Sequence, residues 1–135
     1  MFLFQFEPHV NEIAAEKSLR IIAAAQDKYR DEFPNAGYAC SLAALGGNPP
    51  SGPPSPQSAG IIKADLASGV RRDYFFEIRG CKRETILGVE RVTHYRVVAL
   101  PLDQGKSGVR GFCSDESGKL KMDPEGGENC TQDIQ

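Results

Sequence analysis

The chain lacks tryptophan and has only two histidines, two methionines and four cysteines in 135 residues. With His9 and His94 the only imidazoles, histidine-rich metal sites are excluded, and neither has a Cys, Ser or carboxylate companion at a nucleophile or metal spacing. Long runs of one charge are also missing. Sixteen basic residues against eighteen acidic ones leave a net charge of -2, and no Lys/Arg cluster is long enough for a nucleic-acid surface. No CxxC pair occurs, which removes the simplest zinc and redox motifs. The N-terminal apolar cluster, residues 1–6, falls far short of the roughly 18 apolar residues that cross a bilayer, and it lacks a basic leader and a small-residue cleavage site. The expectation is a chain with neither a membrane span nor an export signal of its own.

At 135 residues there is room for one domain, and 40% apolar with 25% charged residues is the composition of a folded one. Four cysteines at wide spacings, Cys40, Cys81, Cys113 and Cys130, suit an exported protein with two disulfides. Reduced, buried thiols in a cytosolic protein are the competing reading. Three pairings are open; Cys113 with Cys130 is the local one, and Cys40 with Cys81 would follow from it.

Residues 11–32 read as one amphipathic helix, with Asn11 as N-cap and Pro34 as terminator. Ala15, Leu19, Ile22, Tyr29 and Phe33 recur at helical spacing, interrupted by Gln26. The run Ala23–Ala25 reads as helix propensity. A linker region follows over 34–70. Within it, Cys40 to Gly47 reads as one short helical turn closed by glycine, and the proline-rich residues 49–56 form an extended surface loop. From 71 to 135 the pattern turns to strands. Tyr74, Phe76 and Ile78 alternate with Phe75, Glu77 and Arg79; Thr93–Leu100 is a second strand stopped by Pro101; and Asp115–Gly118 joins a short hairpin. The predicted class is α+β: one long helix packed on an antiparallel sheet of about four strands.

Catalytic chemistry is not predicted, for want of a nucleophile–base pair. Asp115, Glu116, Asp123, Glu125 and Glu128 crowd the C-terminal segment and make calcium conceivable, but the EF-hand spacing is absent and a solvated acidic turn is the favoured reading. Gly46-Gly47 and Gly126-Gly127 are not phosphate loops, and Asn129-Cys130-Thr131 matches the N-glycosylation pattern at only three positions.

Three segments in order carry a family resemblance. Asn11 to Tyr29 resembles the part of a type IV pilin-like helix that follows its membrane-embedded half, with the pattern N-E-x-x-A-x-x-S-L-R-x-I-x-x-A-x-x-x-Y. Gly37 to Gly46 is similar to the linker of pilin-like proteins from environmental bacteria, and Gly108 to Gly118 to their terminal hairpin. The resemblance spans most of residues 11–130. It implies a pilin or type II secretion pseudopilin fold in which Cys113 and Cys130 close the C-terminal loop, worth roughly 3 kcal/mol on the chain-entropy estimate. It implies a non-enzymatic subunit of an extracytoplasmic filament at a bacterial cell surface or in the periplasm, with other pilin or pseudopilin subunits as partners, no nucleic acid and no cofactor. Ala15, Leu19, Ile22 and Tyr29 are then the subunit-packing residues of the helix, and the loops at 48–57 and 113–130 are exposed for subunit contact or adhesion. Residues 1–10, with Glu7, Pro8 and His9, stand where the family has its hydrophobic half-helix. Membrane contact is therefore assigned to that missing segment and this chain is expected to be a monomer. The alternative, a secreted or periplasmic small-ligand or calcium-binding module, belongs to a different class.

Overall fold

A computed structural model describes residues 2–47 and 53–134, with side chains from Pro8 onward. Helix α1 (Phe2–Glu32) is followed by two single-turn helices, α2 (Leu42–Leu45) and α3 (Ala64–Ala67). Six strands come next: β1 (Val70–Arg71), β2 (Tyr74–Ile86), β3 (Val89–Pro101), β4 (Gly111–Asp115), β5 (Lys121–Asp123) and β6 (Gln132–Asp133). They pair antiparallel in chain order, each with its sequence neighbour. The α+β class is as predicted, but the sheet has six strands rather than four. The extra two, β1 and β6, are two residues long and flank the sheet, and a two-residue strand carries no alternation to read.

The helix also begins earlier than Asn11 and runs through Pro8. Asn11 is therefore an interior residue, buried, with Nδ2 donating to the Ser107 carbonyl at 3.0 Å instead of capping. Termination is as the sequence suggests. Phe33 N–H still reaches the Tyr29 carbonyl at 2.8 Å, and Pro34 then ends the ladder. Gly37 takes φ +81°, and a Cβ there would stand 2.2 Å from the Val92 carbonyl oxygen. Only glycine lets this turn lie against β3, where Tyr38 N–H donates to Val92 O and Val92 N–H to Ala36 O, both at 3.0 Å.

One face of the sheet meets α1. Tyr74, Phe76 and Ile78 from β2, Tyr95, Val97 and Ala99 from β3 and Phe112 from β4 join Ala15, Leu19, Ile22 and Tyr29 in one core, closed at the side by Leu42, Leu45 and Leu66. Burial of each large side chain here contributes about 1.5–3 kcal/mol. Paired bulges change the alternation partway along the β2–β3 ribbon. Arg79 pairs with Arg96, then Lys82 with His94, then Arg83 with Val92, so each strand carries extra residues in turn. Gly80, at φ +64°, makes the first bulge. As a result Ile78 and Cys81 both pack on the core three positions apart, and Cys81 reaches Cys40 in the linker.

Candidate functional site

The two disulfides are Cys40–Cys81 and Cys113–Cys130, each with Cα atoms 6.0 Å apart. They mark a chain that folds in an oxidising, extracytoplasmic environment. Among the described residues no helix is long and apolar enough to cross a membrane.

Cys113 lies opposite Val98 on the sheet face turned away from α1. The disulfide to Cys130 ties the end of the closed loop to that face, where Val98 is fully buried. Glu128, within the closed loop, pairs through its carboxylate with Arg79 and Arg96, and its carbonyl accepts from Arg96. Bonds from Glu77 and Glu128 hold the Arg79 guanidinium above its ordinary pKa. The terminal loop is thus fastened by one covalent and two ionic links.

Beside it lies a polar cavity of about 490 Å³, lined by Lys82, His94, Ser114, Glu116, Lys119 and Lys121 among others. His94 stands between two carboxylates, with Nδ1 at 2.5 Å from Glu116 and Nε2 at 3.2 Å from Glu84. The Glu116 bond raises its pKa above the ordinary 6.5, with the Glu84 bond adding to the rise and partial desolvation opposing it. Neither companion was evident from spacing. Glu84 comes from β2 and Glu116 from the β4–β5 turn, so it is the pairing of β3 with both of its neighbours that brings them to His94. Ser114 is buried, and its hydroxyl has no hydrogen-bond partner among the described residues.

Of the acidic residues considered for calcium, Asp115, Glu116, Asp123 and Glu128 are engaged in other ways. Asp115 accepts from the amide and hydroxyl of Ser117, and Asp123 from the amides of Glu125 at 2.9 Å and Asn129 at 3.1 Å. These are turn-stabilising bonds. Among the described residues no three His, Cys, Asp or Glu side chains converge on a metal-sized site.

The four helix residues assigned to subunit packing lie inside the molecule: Ala15, Leu19, Ile22 and Tyr29 are all buried against the chain's own sheet and linker. Tyr29 also donates its hydroxyl to the Pro56 carbonyl at 2.6 Å, and burial raises its pKa. The outward face of α1 carries Val10, Ile13 and Ile21 instead, each at least 40% exposed. Of the loop at 48–57, residues 48–52 lie outside the described residues; Ser55 and Ser58 exchange backbone hydrogen bonds.

Two further anchors join α1 to the rest of the chain. Glu12 accepts from the amides of Val109 and Arg110 at 2.9 and 3.2 Å and from Arg110 Nε at 2.8 Å. Gln26, the polar interruption in the apolar stripe, is fully buried; its amide donates to the Ala39 carbonyl at 2.9 Å and accepts from the Ala39 amide at 2.8 Å. A polar residue in a core register was the one sequence signal that pointed to this lock. No protein-family model, curated protein or solved structure matches the chain.

Proposed function

We propose that this chain is the globular domain of a non-enzymatic subunit of a pilin-like or pseudopilin-like filament, working at the bacterial cell surface or in the periplasm. The reading rests on the sequence resemblance, and one observation carries it furthest: α1 divides its apolar residues between two faces. Ala15, Leu19, Ile22 and Tyr29 fix the helix to its own sheet, whereas Val10, Ile13 and Ile21 leave an apolar edge in solvent. These three side chains are not used by the helix's own core, with Lys17 standing between Ile13 and Ile21 on the same row. In a filament the exposed edge packs against helices of neighbouring subunits, and the loop closed by Cys113–Cys130 faces outward.

The test is fractionation of cells of the source organism. Antibody to this domain is expected to detect the protein in sheared surface filaments or in a detergent-extracted envelope assembly, with both disulfides formed. Recovery only as a soluble cytosolic species with free thiols would overturn the proposal.

A further inference from the structure

A second cleft, of about 510 Å³, opens where the end of α1 meets the β2–β3 ribbon. Its walls include the apolar side chains of Pro34, Ile86 and Val92, the ring of Tyr38, and the guanidinium groups of Arg30 and Arg91. The volume lies within the ~300–1,000 Å³ usual for small-molecule sites.

Arg91 has no ionic partner among the described residues. Glu84, opposite it in the strand register, is bonded to His94 at 3.2 Å, and the adjacent Glu90 is paired with Arg83 at 3.6 Å. Arg91 Nε is buried with no hydrogen-bond partner among the described residues. Native proteins rarely leave a buried charged donor unmatched. Across the cleft, Arg30 Nη1 donates to the Tyr38 hydroxyl at 2.6 Å, which leaves the phenolic proton available to another acceptor. Asp31, the acidic group of the cleft wall, leans toward Arg30 at 3.8 Å and is largely exposed. The balance beside Arg91 is therefore cationic.

From the unmatched Arg91 guanidinium, the free Tyr38 proton and the apolar walls, we infer that this cleft binds a carboxylate carried on an apolar body. Arg91 engages the carboxylate through its planar fork, Tyr38 donates to it, and Ile86 and Val92 cover the apolar part. The inference does not depend on the filament reading. The acid can be a free small molecule or an acidic side chain of a partner protein.

The probes are 3-phenylpropionate, its neutral amide 3-phenylpropanamide, and the peptide N-acetyl-Leu-Glu-Phe-amide, followed by NMR at the Arg91 Nε–Hε resonance in the parent chain and at the backbone amide of Val92, on the cleft wall, in the parent and the Arg91 variants alike. Saturable shifts are expected with both carboxylates and not with the neutral amide. Arg91→Gln is expected to weaken binding about tenfold or more, and Arg91→Lys, which keeps the charge and loses the fork, by a smaller factor. Whichever carboxylate binds more tightly identifies the source, free acid or protein side chain, and both rankings uphold the site. Equal binding of the neutral amide, or unchanged affinity in Arg91→Gln, would overturn it. Should Arg91→Gln lose its far-UV spectrum, Arg91→Lys decides instead, and unchanged affinity in that variant would count against the site.

Discussion

Glu12 and Arg110 are 98 residues apart in sequence and form an ion pair at 2.8 Å, with the Glu12 side chain 8% exposed and that of Arg110 30% exposed. Because Glu12 also holds the amides of Val109 and Arg110, the carboxylate clamps α1 to the chain entering β4. Glu12→Ala leaves two amides and a guanidinium without their acceptor and is expected to cost about 3 kcal/mol. Glu12→Gln keeps an acceptor for the amides and should cost about 1 kcal/mol. Urea denaturation of the two variants measures the difference.

Gln26 makes a comparable lock with neutral groups. Gln26→Leu would suit the apolar stripe, yet it strands the Ala39 amide and carbonyl in a buried site. The expected loss is about 2–4 kcal/mol, despite the gain in hydrophobicity. A Gln26→Leu variant at least as stable as the parent in thermal denaturation would contradict the importance of this pair.

His94 gives the fold a pH dependence of known sign. Its pKa is raised in the folded state, chiefly by the Glu116 bond, so the stability it contributes is complete below its ordinary 6.5 and is lost as pH rises through the elevated value. A plot of melting temperature against pH should therefore fall over that interval. His94→Gln should flatten the fall, and an NMR titration of the imidazole should place the midpoint above 6.5.

Leu87 sits at the tip of the β2–β3 hairpin, 95% exposed and with φ +51°. Two-residue hairpin turns of this kind favour Asn or Gly at such a position, and Leu gains nothing there from burial. Leu87→Asn is expected to raise stability by about 0.5–1 kcal/mol, read as an increase in melting temperature.

Reading the sequence succeeded where a period was long enough to register. The spacing of Ala15, Leu19, Ile22 and Tyr29 defines the buried helix face, and the alternation from Tyr74 to Arg79 defines the first half of β2. It failed where tertiary contacts override local pattern. Asn11 has the residue type of an N-cap, but Ser107 takes its side chain inside a longer helix. β1 and β6 exist because neighbouring strands offer unpaired edges, not because Val70-Arg71 or Gln132-Asp133 favour extension. The candidate sites were less legible than the fold. The companions of His94 come from a neighbouring strand and a turn far away in sequence, and the cleft at Arg91 depends on Glu84 and Glu90 bonding to other residues.

The cross-links also determine how the molecule would bear tension. A pull applied between α1 and the C-terminal strand passes from Cys40 directly to Cys81 and from Cys113 directly to Cys130, bypassing spans of 41 and 17 residues. At ~3.5 Å per extended residue, about 200 Å of chain cannot pay out while the bridges hold. The extensible parts are then α1 with its following turn, the stretch from Cys81 through β3 to Cys113, and the last few residues. Reduction would convert a short, stiff link into one that lengthens by that amount under the same load, a change that single-molecule stretching would record directly.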